Sequence, residues 1–196
     1  MKEKLLELTP FNWLYDLWKE LVEKMDKQEW NIIISDLDDT IFSRKEQLEW
    51  SEELRNNRGI NWNLKIINEI SISPYIQKWV KWKNYPKNII SLLNKETDLI
   101  LTAWFLEIQK MKVTELWIQD YKMIVVDTAK DKIISTIQYI IFDLWYIPSS
   151  ITIYEDRPEF FMEYKELLED ILSTKIIINK VVMQDNNTDA QITNIA

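Results

Sequence analysis

The chain has 196 residues, of which 46% are hydrophobic and 29% charged, a length and balance that predict one compact globular domain. Its 24 Lys and Arg against 32 Asp and Glu give a net charge of −8, which disfavours broad capture of a nucleic-acid backbone. It contains no Cys and no His, which excludes disulfides, thiol or imidazole zinc sites, and Ser-His-Asp or Cys-His catalysis.

The first part of the chain is predicted to be helical and to lead into a buried strand. Residues 1–29 form a helical lead-in, because apolar positions recur at helical spacing on both sides of Pro10. Residues 32–34 are three consecutive Ile, which favours a strand that opens into the acidic segment 36–40. The polar, aromatic-rich stretch 43–85 is interpreted as an insertion that forms a small helical cap.

Beyond Pro86, helix-like and strand-like segments alternate. This alternation predicts an α/β fold, in which a doubly wound, mostly parallel sheet is flanked by helices. The core domain is expected to span residues 30–184, and the polar residues 185–196 are expected to be a flexible tail. The predicted helices are 87–95, 104–116, 130–144 and 158–172, and the predicted strands are 98–102, 122–127, 151–155 and 175–182.

The chain has one Gly and ten Trp, whereas average usage would give roughly 14 Gly. Trp117 ends a helix-like stretch, Trp145 precedes a Tyr-Ile-Pro segment and Trp30 leads into an apolar strand. Such places favour Gly because it reaches positive φ without a Cβ clash. We hypothesise that several of these Trp are UGA codons that the native organism reads as Gly. Others, such as Trp13 and Trp18, fit ordinary core or surface aromatics, and UGG codons at positions 117 and 145 would remove the hypothesis.

Four polar groups follow the ends of predicted strands or begin the next helix. Ligands of doubly wound sheets bind beyond the carboxyl ends of the strands, so these groups are candidates for one site. In chain order they are Asp36, Asp38, Asp39 and Thr40; Thr102 and Ala103; Lys130 and Lys132; and Glu155, Asp156 and Arg157.

This ordered set resembles the haloacid dehalogenase-like hydrolase superfamily over roughly residues 30–182. The segment 36–40, Asp-Leu-Asp-Asp-Thr, is similar to the family's first motif, and Thr102 to its second. The third motif, a Lys at a helix start, is matched by Lys132 or Lys130, and the fourth is similar to the stretch 153–158 around Glu155 and Asp156. The segment 101–104, Leu-Thr-Ala-Trp, is similar to the family's Leu-Thr-Ala-Gly, so Trp104 is expected to crowd the phosphate site.

The resemblance implies a phosphatase that forms an aspartyl phosphate. A carboxylate can attack phosphorus and divide one displacement into two steps, and Asp36 is the expected nucleophile. Asp38 is the expected acid and base for the leaving and attacking oxygens. Thr102, the backbone N–H of Ala103 and a Lys ammonium, from Lys132 or Lys130, would meet the phosphoryl charge.

The expected cofactor is Mg²⁺, because carboxylate and carbonyl oxygens suit hard cations. Asp36, Asp156 and the backbone carbonyl of Asp38 are its expected ligands, and the carbonyl ligand is implied by the resemblance. Four neighbouring residues are expected to support the ligands and the catalytic groups. They are Asp39, Thr40, Glu155 and Arg157.

Each motif also has a simpler interpretation. An acidic segment after a strand is typical of a solvated loop or a helix cap, and a calcium loop is disfavoured because Ile41 stands where that loop needs Gly. A receiver domain also uses Asp, Thr and Lys, but there the second acidic site precedes the Thr. Here the order is Asp, Thr, Lys, Asp.

Two functions of different classes follow. The first is a Mg²⁺-dependent phosphatase acting on a small phosphorylated substrate, with a nucleic-acid end as a disfavoured substrate because no basic stripe is present. The second is a catalytically silent module that binds a phosphorylated ligand or a partner protein through aromatics such as Trp79, Trp82 and Tyr85. The sequence identifies neither the substrate nor the oligomeric state.

No apolar run approaches the roughly 20 residues that span a bilayer. The first residues also lack the apolar core and small-residue site of a secretory signal. We therefore expect a cytoplasmic protein without a membrane partner.

Overall fold

The computed structural model describes residues 1–43, 88–183 and 189–196. The insertion predicted at 43–85 lies, apart from Ser43, outside the described residues, so its expected helical cap stays a prediction. Among the described residues, none of the helices has the length and apolar character required to cross a membrane.

Six strands and five α-helices make up the described part of the chain. The strands are β1 Asp26–Ser35, β2 Leu99–Ala103, β3 Lys122–Val126, β4 Tyr146–Glu155, β5 Lys175–Val182 and β6 Gln191–Asn194. The helices are α1 Lys2–Leu5, α2 Trp13–Glu23, α3 Leu106–Glu115, α4 Asp131–Gln138 and α5 Glu159–Leu172, with a 3₁₀ turn at Asn88–Leu92 and a π-helical turn at Tyr139–Leu144 that continues α4.

The strands form one sheet in the order β3-β2-β1-β4-β5-β6. The first five are parallel, and β6 pairs with β5 in the antiparallel sense. From β1 the chain winds outward to β2 and β3, then crosses to the other side of β1 to add β4 and β5. The expected α/β fold with a mostly parallel sheet is therefore confirmed, and its winding direction reverses between β1 and β4.

Apolar side chains cover both faces of the sheet. In β2, Leu99 and Leu101 belong to the cluster packed against α1, α2, α4 and α5, while Ile100 belongs to the cluster on the other face with α3. Successive strand residues point to opposite faces, so a strand covered on both sides reads as a continuous apolar run. This explains why Leu99-Ile100-Leu101 shows no alternation.

Several element boundaries differ from the sequence predictions. The lead-in is helical only to Glu23, because β1 already begins at Asp26. Asp26 pairs with Tyr146, so β4 also begins early, five residues before the predicted strand 151–155. The predicted flexible tail is wrong for residues 191–194, which form β6 against β5. Of the predicted helix 87–95, the described residues form only the 3₁₀ turn Asn88–Leu92. Backbone pairing between distant segments produces these extra strands, and local periodicity carries no signal of such pairing.

Candidate functional site

The candidate site lies at the carboxyl ends of β1, β2 and β4, where the winding of the sheet reverses. The backbone N–H of Asp36 donates to the carbonyl of Tyr154 at 2.9 Å, which continues the β1–β4 pairing past Ser35 and sets Asp36 beside Glu155. A pocket opens here, as expected at the switch point of a doubly wound sheet. Its lining residues are Asp36, Asp38, Ala103, Ala129, Lys132, Glu155, Arg157, Phe160 and Phe161.

Lys132 supplies a buried cation to this pocket. It lies in the first turn of α4, and its Nζ is 3.0 Å from Oδ1 of Asp36 and 2.6 Å from Oε2 of Glu155. Burial lowers the pKa of Lys132, but the Asp36 and Glu155 carboxylates outweigh burial and raise this pKa above its usual value. The ammonium therefore stays charged in the pocket.

Three carboxylates converge beside this lysine. One carboxylate oxygen from each of Asp36, Glu155 and Asp156 lies within 4.8 Å of the other two. Burial, and then the Asp36 charge, raise the pKa of Glu155 well above its usual value although Lys132 opposes this, and burial is also the main cause that raises the pKa of Asp156. If all three carboxylates were ionised, they would carry more negative charge than Lys132 alone compensates, and burial together with this repulsion is why the pKa values of Glu155 and Asp156 are raised.

Two oxygens of this cluster are buried without a hydrogen-bond donor among the described residues. They are Oδ1 of Asp36 and Oδ1 of Asp156. Lys132 is close enough to Asp36 Oδ1 for an ion pair, but the contact lacks hydrogen-bond geometry. Buried polar atoms are normally satisfied, and unsatisfied carboxylate oxygens are suitable ligands for a hard divalent cation. The donor set therefore fits Mg²⁺, with Glu155 in addition to the predicted Asp36 and Asp156.

Asp38 is held by two residues of α3 that the sequence analysis did not identify. Nζ of Lys112 lies 2.6 Å from Oδ1 of Asp38, and Nε2 of Gln109 donates to Oδ2 at 3.0 Å. The Lys112 side chain is 2% exposed and the Asp38 side chain 8%. The predicted acid and base is therefore a partner in a buried ion pair at the pocket wall.

Thr102 is fully buried at the end of β2 and does not line the pocket. Its Oγ1 accepts a hydrogen bond from Nε2 of Gln109 at 3.0 Å. Gln109 therefore bridges Thr102 to Asp38, while the neighbouring Ala103 does line the pocket. The expected crowding by Trp104 is not observed, since its half-exposed side chain lies against Phe105 and is not among the lining residues.

The remaining predicted residues surround the pocket at different depths. Lys130 is exposed at the start of α4 and lies outside the pocket, so of the two candidate lysines Lys132 reaches it. Asp39 has φ 58° in the turn after β1, and Thr40 is buried there with its Oγ1 unpartnered among the described residues. Arg157 lines the pocket mouth and lies 3.7 Å from Asp156.

A signal for Gln109 and Lys112 is present in the sequence. They lie three positions apart on α3, a spacing that places two side chains on the same helix face. That face also carries the buried Ile108 and Val113, so a polar pair within an apolar helix face predicts a buried polar partner. Nothing in the sequence shows that the partner is Asp38.

The chain matches no protein-family model, no curated protein and no solved structure.

Proposed function

We propose that the chain is a Mg²⁺-dependent phosphomonoesterase of the haloacid dehalogenase-like type. One observation carries the proposal: the carboxylate of Asp36 stands at a strand end with a buried ammonium 3.0 Å away and two further carboxylates within 4.8 Å. An anionic nucleophile, a phosphate-binding cation and a hard-metal ligand set are the three components that phosphoryl transfer to a carboxylate requires.

In the proposed reaction, a carboxylate oxygen of Asp36 attacks phosphorus and the bond to the leaving alcohol oxygen breaks. Water then attacks the aspartyl phosphate and releases inorganic phosphate. Lys132 is oriented by Glu155 at 2.6 Å, so its ammonium is held in place to meet the charge on the phosphoryl oxygens. Groups fixed before the reaction stabilise such charge without reorganising during it.

Asp36 and Asp156, each with a buried oxygen that lacks a hydrogen-bond donor, would hold Mg²⁺, and Glu155 offers a third carboxylate. When bound, the cation would neutralise part of the negative charge that the phosphate and the Asp36 carboxylate bring together. Among the described residues, these three carboxylates are otherwise met by the Lys132 ammonium, 3.0 Å from Asp36, and the Arg157 guanidinium, 3.7 Å from Asp156.

Asp38 is proposed to move protons at the leaving oxygen and at the attacking water. Asp38 lines the pocket, and both of its carboxylate oxygens contact α3. Lys112 and Gln109 would therefore set the orientation of Asp38 toward the substrate. Because Gln109 also binds Thr102, the same side chain would couple the acid and base to the end of β2.

The test is release of inorganic phosphate from an aryl phosphate by the purified full chain with and without Mg²⁺. We expect activity that needs Mg²⁺, is removed by a chelator and is lost in Asp36→Asn. Asp120→Asn is the matched control, since Asp120 forms a surface ion pair with Lys95, and it should keep full activity. Turnover that persists in Asp36→Asn would refute the assignment of the nucleophile.

A catalytically silent module that binds a phosphorylated ligand is the second candidate, and one observation favours it. The predicted acid and base, Asp38, is engaged by Lys112 and Gln109 in a nearly closed environment. For such a module, inorganic phosphate with Mg²⁺ should raise the melting temperature. A panel of phosphomonoesters should then show no turnover, including with the Trp104→Gly variant.

A further inference from the structure

Among the described residues, five that are not Gly have positive φ, and three of these are Trp. Trp104, Trp117 and Trp145 have φ of 155°, 60° and 61°, and the other two residues are Asp39 and Ser173. Positive φ is uncommon outside Gly and is a genuine outlier for a bulky side chain. Three indoles at such positions therefore require a specific explanation.

Trp117 occupies the position at a helix end that most strongly favours Gly. After α3, its N–H donates to the carbonyl of Thr114 at 3.1 Å, and the N–H of Ile118 donates to the carbonyl of Val113 at 2.9 Å. These two bonds define the Schellman motif, whose residue in the left-handed conformation is usually Gly. The Trp117 side chain is 84% exposed, so little burial offsets the backbone cost.

Trp145 lies at the end of the π-helical turn Tyr139–Leu144 and is left-handed as well. Its φ of 61° and ψ of 19° are left-handed, and its side chain is 71% exposed. The chain reverses here and enters β4 at Tyr146. A Gly at this position would allow the same reversal without a Cβ clash.

Trp104 follows β2 and has φ of 155°, a positive value that is uncommon for residues other than Gly. Its N–H donates to the carbonyl of Val126 at 3.1 Å, so pairing with β3 fixes the backbone at this point. The indole is 51% exposed. The strand pairing therefore determines the backbone here, and the side chain does not.

We infer that positions 104, 117 and 145 are Gly in the organism that makes this protein, and that its gene carries UGA there. A translation table that reads UGA as Trp would then produce the printed sequence. Composition supports this independently, with one Gly and ten Trp. Trp18 provides the contrast, because it lies inside α2, is 2% exposed and packs in the core, where a true Trp fits.

The decisive measurement is the codon at each position in the native gene, together with the mass of the corresponding peptides from protein made by the native organism. We expect UGA and a Gly-containing peptide at 104, 117 and 145, and UGG at 18. A UGG codon or a Trp-containing peptide at any one of the three positions would overturn the inference. Neither readout depends on the proposed phosphatase activity.

A stability series tests the backbone reasoning on its own. Trp117→Gly in the full chain should increase the folding equilibrium constant about tenfold, since it removes a left-handed residue with a Cβ. Trp117→Ala should give a smaller increase, because Ala keeps the Cβ. Trp13→Gly is the matched control: Trp13 is 57% exposed but begins the helix α2, where Gly lowers stability. Equal effects of Trp117→Gly and Trp13→Gly would contradict the reasoning.

Discussion

The buried ion pair between Lys112 and Asp38 allows a prediction that does not depend on function. We consider Lys112→Met, which keeps a long apolar side chain but removes the ammonium. The two charged atoms are 2.6 Å apart and their side chains are 2% and 8% exposed. At an effective dielectric constant near 20 their attraction is about 6 kcal/mol, and several kcal/mol of desolvation per ion oppose it.

The net contribution of the intact pair is therefore small, but removal of one partner leaves the desolvation of the other uncompensated. We expect Lys112→Met to lower the free energy of unfolding by about 3–5 kcal/mol. Replacing both charges, in Lys112→Met with Asp38→Asn, should restore much of this loss, because neither position then buries an unpaired charge.

The assay is urea-induced unfolding at pH 7, followed by far-UV circular dichroism, for both single variants and the double variant. Lys110→Met is the matched control, because Lys110 lies on the same helix in an exposed pair with Glu107 at 3.2 Å and should change stability by less than about 0.5 kcal/mol. A loss of less than about 1 kcal/mol in Lys112→Met, or single losses that simply add in the double variant, would show that the two side chains are not a coupled buried pair.

Three further predictions concern other contacts. Asp98 is buried and accepts hydrogen bonds from the N–H groups of Ile33 at 2.8 Å and Asn94 at 2.7 Å. Asp98→Ala should therefore lower the free energy of unfolding in urea by about 2–3 kcal/mol, and Asp98→Asn should lower it less because its amide oxygen still accepts. Partial burial raises the pKa of Asp170, but hydrogen bonds from Tyr15 and Lys19 outweigh burial and hold this pKa below its usual value. The ionised carboxylate therefore stabilises the fold above about pH 4, and this stabilisation is lost as the pH falls through the lowered pKa. Asp170→Asn should therefore show a shallower loss of stability than the parent chain between about pH 5 and pH 2, and an unchanged acid limb would contradict this. Lys132→Met should reduce kcat/KM for an aryl phosphate about 10²- to 10³-fold. Lys130→Met, at an exposed position, should reduce kcat/KM far less. Both values are measured on folded protein at saturating Mg²⁺.

The sequence determined which polar groups lie at one edge of the sheet. Buried parallel strands appear as apolar runs, such as Ile32–Ile34 and Leu99–Leu101, and each run ends in the polar residues that the structure places at the carboxyl edge. Because parallel strands share one direction, residues that follow different strands must meet at the same edge. Asp36 and Glu155 were identifiable on this basis, and Lys132 only as one of two candidates with Lys130.

The sequence also indicated the unusual backbone at positions 104, 117 and 145. Gly was expected at 117 and 145 from their places in the chain and at 104 from the resemblance to Leu-Thr-Ala-Gly, and the structure has positive φ at all three positions. Trp30, which was also expected to replace Gly, lies inside β1 and is not among the residues with positive φ. Backbone conformation at a helix end is a local property, since it depends on a few neighbouring residues and their hydrogen bonds. Local properties of this kind can be inferred without tertiary information.

Only the tertiary structure decided which distant groups pair. The contacts of Asp38 with Lys112 and Gln109 join residues more than 70 positions apart, and the early start of β1 and the formation of β6 depend on neighbouring strands. Such pairings arise from the packing of whole elements, in which buried polar groups take whatever partners the fold brings near. Spacing along the chain therefore located the carboxylates, whereas the fold determined their partners and hence their chemistry.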